Sequence, residues 1–294
     1  MPGMAERTLL VGPGWLGGPT AERLAAAGHR VWTLHRSGGT APRGCVAVTG
    51  DVTTAATAPV TLTALPPAVE HLVVCVAPSS ARGDSYAIYP AAARGAQALA
   101  AALGVRHVVY VSSTGIYDRH DGSEVSESVP IAPTNPRVQA LLDAEQAIAS
   151  AASDRVRVDI VRAAGLYGPG RDPADRFARG AVPPDTWCNF SWRDDVAEAI
   201  RHLLTQPAAS SVHVFNCTDG HPVQAAAIRQ ALTGSARSRH EVAGADGPGT
   251  AGRSSQRIRT DALQATGWQP SVPTVFDGLR RLGHTLPGLA ATVS

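Results

Sequence analysis

The sequence is poor in cysteine and has no clustered histidines, which narrows the kinds of site it can encode. It contains 4 cysteines in 294 residues, at Cys45, Cys75, Cys188 and Cys217. Because no two of them form a Cys-x-x-Cys pair, the spacing argues against a disulfide framework and a thiolate zinc site. The 10 histidines are scattered without a His-Glu-x-x-His motif, so the sequence alone predicts no metal site.

Charge of one sign and long apolar runs are also lacking. The 26 lysines and arginines nearly balance the 24 aspartates and glutamates, which argues against nucleic acid and anionic membranes as partners. No stretch reaches the roughly 18 apolar residues of a membrane span, and the first residues lack the apolar core of a signal peptide. We therefore expect a cytoplasmic protein that binds a small-molecule substrate. A homodimer is compatible with the sequence, which leaves the oligomeric state open.

Hydrophobic residues are present in a regular pattern and make up 44% of the chain, which is enough for a full core. Short β-rich apolar runs occur at residues 8–11, 31–34, 46–48, 71–76, 107–111 and 156–161. Alanine-rich helical stretches lie between them at residues 21–27, 86–103 and 137–151. This alternation predicts an α/β fold with a doubly wound, Rossmann-type parallel sheet.

The pattern changes after Arg162 to loops rich in proline and glycine, which suggests a second region. We predict a dinucleotide-binding domain from residues 1–163 and about 189–217. Residues 164–188 and 218–294 are predicted to form a smaller substrate-binding lobe. Residues 235–255 are rich in Gly, Ala, Ser and Arg, and we interpret them as a mobile loop, with a lid as one alternative.

The first predicted strand runs directly into a Gly-x-Gly-x-x-Gly turn at residues 12–17, and a helical stretch follows. In this context Gly12 permits the tight turn, Gly14 lets the backbone approach a pyrophosphate, and Gly17 lets helix and strand pack closely. The N–H groups at the helix start would bind the phosphates. The turn therefore predicts a dinucleotide site, with a purely structural glycine turn as the alternative.

The end of the second strand bears on the choice of cofactor. An NAD enzyme would place a carboxylate there for the ribose 2'-hydroxyl, but this chain has His35, Arg36 and Ser37. Arg36, together with the other two, can instead pair with a 2'-phosphate, because a guanidinium meets phosphate oxygens bidentately. We therefore predict NADP in preference to NAD, with a solvated arginine as the alternative. Asp51 and Val52, after the third strand, would suit the adenine edge of the pocket.

Five segments together resemble the extended branch of the short-chain dehydrogenase/reductase superfamily, the NAD(P)-dependent epimerases and dehydratases. They lie at residues 12–17, 50–52, 109–117, 162–170 and 189–196. The resemblance implies further cofactor-binding residues at Pro13, Trp15, Leu16, Val76, Ala77, Pro78, Ser112, Gly165 and Leu166. It implies substrate-binding residues at Thr114, Tyr167, Arg171, Asn189, Trp192 and Arg193.

The resemblance also implies a catalytic arrangement, from which this chain departs. In the family a serine or threonine after strand five, matched here by Ser113, hydrogen-bonds the substrate oxygen. A Tyr-x-x-x-Lys pair then follows on the next helix, where tyrosine is the general acid/base and lysine lowers its pKa. The sequence is similar to atypical members, because Arg137 and Leu141 fall at those two positions. Arginine stays protonated and leucine carries no charge, so the usual proton relay cannot operate from this helix.

Another group must then exchange the proton if the chain is a catalyst. The nearest candidates by sequence are Tyr117, Thr114, Asp118 and His120. Tyr117 offers a phenol, with packing as the alternative, and His120 lies in a polar loop where a solvated histidine is the alternative. Ser113 is predicted to orient the substrate, with a role in capping the strand end as the alternative.

Two features near residue 190 admit a structural interpretation. The aromatic residues Trp187, Phe190 and Trp192 could line a substrate pocket or form the core of the small lobe. Asp194 and Asp195 look like a catalytic carboxylate pair, but they stand at a predicted helix start. We interpret them as structural, with Ser191 taking part in a capping arrangement.

The leading hypothesis from sequence is an NADP-dependent oxidoreductase acting on a small metabolite that is a carbonyl, an imine or an alcohol, with a non-standard proton donor. One alternative is a non-standard epimerase or dehydratase that uses tightly bound NAD(P). Another is a catalytically inactive NADP-binding sensor or scaffold. The identity of the substrate cannot be read from the residues.

Overall fold

The computed structural model describes residues 5–54, 65, 68–79, 83–207, 211–234 and 254–289. The chain divides into two compact units. Unit 1 contains Met1–Ile116, Ile131–Arg162 and Val196–Phe215, and unit 2 contains Tyr117–Pro130, Ala163–Asp195 and Asn216–Ser294. Residues 117–130 and 189–195 therefore lie in unit 2, although the sequence placed them with the nucleotide-binding domain.

The predicted strands and helices of the first 161 residues are all present, with ends that differ by a few residues. Within the described residues the strands are β1 (Arg7–Val11), β2 (Arg30–His35), β3 (Cys45–Thr49), β4 (His71–Val74), β5 (His107–Ser113), β6 (Glu124–Val125), β7 (Arg157–Ala163), β8 (Gly165–Tyr167), β9 (Trp187–Cys188), β10 (Phe190–Trp192), β11 (Val212–Cys217), β12 (Val223–Gln224) and β13 (Arg257–Ile258). The α-helices are α1 (Gly17–Ala26), α2 (Ile88–Leu103), α3 (Pro136–Ala149), α4 (Ala174–Ala178), α5 (Arg193–Leu204), α6 (Ala225–Thr233), α7 (Asp261–Gln264) and α8 (Val275–Arg281).

The main sheet has seven strands in the order β11-β7-β5-β4-β1-β2-β3. Strand β1 pairs in parallel with both β2 and β4, and the pairs β2-β3 and β4-β5 are parallel as well. The strand order reverses between β1 and β4, and in such sheets ligands bind in the crevice at the carboxyl ends of the strands on either side of that point. The predicted doubly wound, Rossmann-type α/β fold is therefore confirmed.

The buried strands β1 and β4 and the closely packed helix α2 form the core of unit 1. Leu9, Leu10 and Leu72 are fully buried, as expected of parallel strands that are covered on both faces. Helix α2 packs against the short 3₁₀ turn Val52–Thr54, and a Cβ on Gly95 of this helix would overlap the Val52 carbonyl oxygen. Small residues on α2 are therefore what allow this close contact.

Unit 2 is built from short paired strands around an aromatic core. The pairs β8-β10 and β6-β13 are parallel, and β9-β12 is antiparallel. The Tyr167 ring makes edge contacts with Phe190 and Trp192, with centroid separations of 5.5 and 5.2 Å. Because β6 pairs with β13, residues 117–130 are tied to the C-terminal part of the chain, which accounts for their place in unit 2.

Three sequence expectations concern features outside this core. Residues 235–253, most of the predicted mobile loop, lie outside the described residues. All four cysteines are free thiols. In the part of the chain that the structure describes, no helix combines the length and the apolar character needed to cross a membrane.

Candidate functional site

The glycine turn after β1 is shaped by two positions that tolerate no larger residue. Gly12 has a φ of +81°, which favours glycine, and a Cβ there would lie 2.7 Å from the carbonyl oxygen of Cys75. A Cβ on Gly17 would overlap the carbonyl oxygen of Gly12. Glycine at both positions therefore lets α1 begin directly against the turn, beside the end of β4.

Gly14 has a different environment from its two neighbours in the motif. A Cβ on Gly14 would have no other described atom within 4 Å, so the space outside the turn is open there. The Gly14 N–H donates to the Gly12 carbonyl and the Gly18 N–H donates to the Gly14 carbonyl, both at 2.8 Å. The first turn of α1, which is described in full, contains no acidic residue. Free space beside the turn, together with a helix N-terminus that has no acidic residue in its first turn, fits the diphosphate of a dinucleotide.

The residues after β4 lie beside this turn. A Cβ on Gly12 would lie 3.2 Å from Cγ2 of Val76, so the structure brings these two predicted cofactor residues together. Leu16 is buried at the start of α1, whereas the remaining members of this predicted set keep some exposure. These are Pro13, Trp15, Ala77 and Pro78. Their contact with a cofactor stays a prediction.

Arg36 is paired with a carboxylate that sequence reasoning missed. Its Nη1 and Nη2 lie 3.1 and 3.2 Å from Oδ1 of Asp84, in the loop between β4 and α2. Oδ2 of Asp84 also accepts a hydrogen bond from the Ser79 N–H at 3.2 Å. The pair joins residues that are 48 positions apart, so no local pattern could reveal it. An acidic group is therefore present at the ribose end of the turn, as well as a basic one.

The two neighbours of Arg36 contribute no second positive charge. Burial lowers the pKa of His35, so its ring is neutral at pH 7. The ring Nε2 lies 2.9 Å from Oγ1 of Thr33, within hydrogen-bond distance. Ser37 is exposed. Of the predicted trio, Arg36 alone brings a positive charge to the end of β2.

Asp51 and Val52, predicted at the adenine edge, both have structural contacts. Oδ1 of Asp51 accepts hydrogen bonds from the N–H and the hydroxyl of Thr53, at 2.9 and 2.7 Å. Val52 is buried against α2. Asp51 therefore holds the start of the 3₁₀ turn, and its contact with adenine remains a prediction.

Ser113, the last residue of β5, is joined to α3 by Arg137. The Arg137 Nη2 donates to Oγ of Ser113 at 3.4 Å, and the Gly115 N–H donates to the same oxygen at 3.1 Å. A Cβ on Gly115 would lie 2.9 Å from both Nη1 and Nη2 of Arg137, so glycine leaves room for the guanidinium. The arginine at the position where the resemblance expects a tyrosine therefore lies beside the predicted substrate-orienting hydroxyl.

Tyr89, near the start of α2, is a second group that sequence reasoning missed. Burial raises the pKa of Tyr89, while the charge of Arg137 and a hydrogen bond with it act in the opposite direction. The Tyr89 side chain is partly buried against the core of unit 1. Tyr89 and Ser113 are thus neighbours of the same guanidinium, and no motif in the sequence marks Tyr89.

Ser112 and Thr114, on either side of Ser113, are buried in unit 1. The Ser112 hydroxyl donates to Oε1 of Glu145 at 2.5 Å. Arg162 donates to both oxygens of the same carboxylate, through Nε at 3.0 Å and through Nη2 at 2.6 Å. Thr114 begins the 3₁₀ turn Thr114–Ile116 and is 6% exposed. These environments favour structural roles for Ser112 and Thr114 over contact with ligands.

The two proton donors predicted in unit 2 have other partners. Tyr117 is 3% exposed, and its hydroxyl donates to Oδ1 of Asn216 at 2.8 Å. His120 is half exposed, and its Nε2 lies 3.3 Å from Oδ1 of Asp118. The structure therefore favours the packing interpretation of Tyr117 and the solvated interpretation of His120.

The predicted substrate-binding residues of unit 2 are largely engaged in its framework. Asn189 donates to the Gln256 carbonyl and accepts from the Ile258 N–H, both at 2.8 Å. Tyr167 and Trp192 belong to the aromatic core, which favours the core interpretation of these rings. Arg193 donates to Asp194 at 2.7 Å. Arg171 is exposed, and so is Gly165, which with Leu166 was predicted to bind the cofactor; these contacts stay predictions.

Asp195 is structural, as predicted, but the predicted cap at Ser191 is wrong. The Ser191 hydroxyl donates to the Cys217 carbonyl at 2.6 Å and accepts from the Ala164 N–H at 2.9 Å, so it joins β10 to neighbouring strand ends. Asp195 instead holds the loop before α8, accepting from the N–H groups of Ser271 and Val272 at 2.9 and 3.0 Å.

Asp219 is the most perturbed carboxyl of unit 2. It is 3% exposed, and burial raises its pKa to about 7. Oδ1 accepts from the His221 N–H at 3.0 Å, whereas Oδ2 has no described donor at hydrogen-bond distance. The backbone N–H groups of His221 and Val275 act to lower this pKa but do not offset the burial.

This carboxyl should make stability depend on pH. The unfolded chain ionises Asp219 near pH ~4, whereas the folded chain ionises it only near pH 7. Between these values the unfolded state releases a proton that the folded state keeps, so raising the pH lowers the free energy of unfolding. We expect the melting temperature of Asp219→Asn, relative to that of the natural chain, to rise from about pH 5 to about pH 8. A difference that is constant over this range would contradict the assignment.

Comparison with known proteins identifies the family. Residues 9–218, more than half of the chain, match the model of the NAD dependent epimerase/dehydratase family. Protein YeeZ of Escherichia coli (strain K12) is 33% identical over 123 residues, which are 41% of this chain and 43% of YeeZ. The match thus spans less than half the length of this curated relative.

Solved structures with the same fold extend over nearly the whole chain. A protein of Methylobacillus flagellatus, described as an NAD-dependent epimerase/dehydratase, is 28% identical over 99% of both chains, with a TM-score of 0.70. The Bordetella bronchiseptica enzyme WbmG, in complex with NAD, has a TM-score of 0.73 over 95% of this chain and 94% of its own. Its 20% identity shows a shared fold alone. The family match covers most of the main sheet and the glycine turn, and the chain belongs to the NAD dependent epimerase/dehydratase family.

Proposed function

We propose that the chain is an NADP-dependent oxidoreductase that acts on a carbonyl, imine or alcohol of a small metabolite. The observation that carries the proposal is the contact between Arg137 and Ser113 at the end of β5. A hydroxyl and a guanidinium there offer two hydrogen-bond donors to one substrate oxygen. Such donors stabilise the negative charge that develops on a carbonyl oxygen during reduction. NADPH, when bound, would supply the hydride.

The residues that would hold the diphosphate and the 2'-phosphate belong to unit 1. The turn at residues 12–17 would bind the diphosphate through backbone N–H groups. Arg36 would bind the 2'-phosphate in place of Asp84, its partner in the present structure. A phosphate carries more charge than a carboxylate and offers more acceptor oxygens, which favours this exchange.

Arg36→Ala tests the choice of cofactor. We expect the Kd for NADPH to rise roughly tenfold or more, because a charge-assisted bond to the 2'-phosphate is lost. The Kd for NADH should change by less than about threefold, because NADH lacks that phosphate. Isothermal titration of the purified protein with both nucleotides measures the two values. Equal weakening of both would contradict the assignment of NADP.

Asp84→Asn is the matched variant for the same pair. It removes the competing charge and keeps an oxygen that can accept the Ser79 N–H bond. NADPH should therefore bind more tightly to this variant than to the natural chain, with little change for NADH. If NADH affinity falls and NADPH affinity does not improve, Asp84 binds the ribose hydroxyls and the chain prefers NAD.

Tyr89 is proposed as the proton donor that replaces the tyrosine of the family motif. Its hydroxyl and Ser113 neighbour the same guanidinium. Burial raises the pKa of Tyr89 and Arg137 only partly offsets this, so the phenol keeps a proton to donate. Arg137 itself cannot act as an acid at working pH. The proton would pass from the Tyr89 hydroxyl to the substrate oxygen that Ser113 and Arg137 hold.

Tyr89→Phe tests this role without removing the ring. On the substrate that the natural chain reduces fastest in a panel of aldehydes, ketones and imines, kcat should fall by about a hundredfold. The Kd for NADPH should not change. Tyr86→Phe is the control, because Tyr86 is an exposed phenol near the same helix start. Equal kcat values for Tyr89→Phe and the control would remove Tyr89 from catalysis.

The two alternative functions predict different nucleotide balances. An oxidoreductase consumes one NADPH for each substrate converted. An epimerase or dehydratase of this family would convert substrate with no net change in nucleotide, and the complex of WbmG with NAD keeps this alternative open. A sensor or scaffold would bind NADPH and show no turnover with any substrate of the panel.

A further inference from the structure

Three side chains converge at the amino ends of β1, β2 and β4, the sheet edge opposite the glycine turn. Glu6 precedes β1, His29 precedes β2, and His71 is the first residue of β4. Oε2 of Glu6 lies 3.1 Å from Nε2 of His71 and 3.8 Å from Nε2 of His29. One ligand atom from each residue lies within 4.8 Å of the other two.

The separations from the Glu6 oxygen to the two imidazole nitrogens are close to those between ligand atoms of a tetrahedral metal ion. Zinc binds imidazole nitrogen and carboxylate oxygen at about 2.0–2.2 Å, and tetrahedral geometry then places neighbouring ligand atoms about 3.4 Å apart. The separations of 3.1 and 3.8 Å lie on either side of that value. The third separation, between the ligand nitrogens of His29 and His71, is no more than 4.8 Å, so side-chain shifts could bring all three atoms onto one cation.

The imidazoles of His29 and His71 are oriented so that a ring nitrogen of each faces the Glu6 carboxylate. Oγ1 of Thr8 lies 2.9 Å from Nδ1 of His29, which leaves Nε2 to face Glu6, as outer-shell partners of metal-binding histidines do. His71 is 7% exposed, and its Nδ1 has no hydrogen-bond partner among the described atoms. Burial lowers the pKa of both histidines, and the nearby Glu6 carboxylate acts in the opposite direction.

The cluster is open to solvent at Glu6. The Glu6 side chain is 53% exposed, so a cation could enter from solvent, and water could complete its coordination. His107, whose ring centroid is 5.9 Å from that of His71, is held by Asp159 at 2.9 Å. Arg201 places a positive charge near His29, but Glu198 binds its guanidinium through Nε at 2.9 Å.

We propose that Glu6, His29 and His71 form a binding site for one zinc-class divalent cation, with water as the fourth ligand. Two nitrogen ligands and one carboxylate suit zinc and its first-row neighbours, whereas magnesium and calcium prefer all-oxygen sites. The site joins the starts of three strands and lies at the other end of β1 from the nucleotide turn. Its role is therefore structural, and it is independent of the proposed oxidoreductase activity.

Zinc titration of the metal-stripped full chain tests the proposal. With a competing chromophoric chelator, we expect one Zn²⁺ per chain, bound with a Kd of about 10 µM or tighter, and a higher melting temperature with zinc than without. Mg²⁺ should give neither effect. Failure to bind Zn²⁺ at about 100 µM would overturn the site.

Single substitutions locate the bound ion. Glu6→Gln and His29→Gln should each weaken Zn²⁺ binding by roughly tenfold or more and remove the zinc-dependent rise in melting temperature. His202→Gln, which changes a histidine of unit 1 outside the cluster, should bind Zn²⁺ as the natural chain does. Because Glu6 is half exposed, its substitution should leave the metal-free melting temperature unchanged. Unaltered Zn²⁺ affinity in both cluster variants would place the ion elsewhere and refute the proposal.

Discussion

Replacing Gly14 with alanine is expected to abolish nucleotide binding without disturbing the fold. A Cβ at this position would meet no other described atom within 4 Å, so the free protein has room for it. The same methyl group would occupy the space where a diphosphate must approach the backbone. We expect the Kd for both NADPH and NADH to rise by roughly a hundredfold or more, with an unchanged melting temperature.

Gly18→Ala is the control on the same segment. A Cβ on Gly18 would lie 3.6 Å from the Pro13 carbonyl oxygen, which is an ordinary contact, and this residue follows the last glycine of the motif. Its nucleotide affinity should match that of the natural chain. If Gly14→Ala binds NADPH normally, the turn does not hold the diphosphate, and the glycines have only the steric roles of Gly12 and Gly17.

Glu145→Ala is expected to cause the largest loss of stability among the substitutions considered for unit 1. Its carboxylate is buried with Arg162, and Ser112 donates a further hydrogen bond to it. Removing the carboxylate leaves a buried guanidinium without its counter-charge, which typically costs about 3–5 kcal/mol. Urea unfolding followed by circular dichroism measures the change in the free energy of unfolding.

Asp143→Ala supplies the comparison on the same helix. The Asp143 carboxylate accepts an exposed hydrogen bond from Gln139 at 2.6 Å, so its loss should cost less than about 0.5 kcal/mol. The double variant Glu145→Ala with Arg162→Met should be less destabilised than Glu145→Ala alone, because the unpaired charge is gone. A Glu145→Ala chain as stable as Asp143→Ala would show that the buried pair adds nothing.

The parts of the fold that were predictable from sequence depend on local patterns. Strands such as β1 and β4 are continuous apolar runs, and α2 is an alanine-rich stretch that ends at Gly104 in a left-handed conformation. The glycine turn is likewise recognisable from the local spacing of its glycines, although the close approach at Gly12 involves Cys75, which lies far away in the sequence. Patterns of this kind lie within a short stretch of residues, so they can be recognised from the sequence alone.

The features that were missed all depend on residues far apart in the chain. Asp84 meets Arg36 because the loop after β4 lies beside the end of β2. Tyr89 lies near Arg137 because α2 and α3 pack together, and no motif in the sequence marks Tyr89. The Glu6, His29 and His71 cluster joins three strand starts, so the scattered histidines in the sequence gave no sign that these side chains converge.

Several polar and aromatic residues were assigned to ligands but have partners within unit 2. Tyr117 and Asn189 have hydrogen-bonding partners there, and Tyr167 and Trp192 pack in an aromatic core. Sequence places such residues near a predicted pocket but does not reveal whether protein atoms already occupy their polar groups. Burial and hydrogen bonding therefore favour the structural alternative for these residues.

Isothermal titration of the full-length natural chain with NADPH and with NADH is the most direct test of nucleotide binding at the glycine turn. One NADPH is predicted to bind per chain, more tightly than NADH, and the heat of binding should vanish in Gly14→Ala. Absence of binding by either nucleotide to the folded protein would contradict the assignment of residues 12–17 as a dinucleotide site.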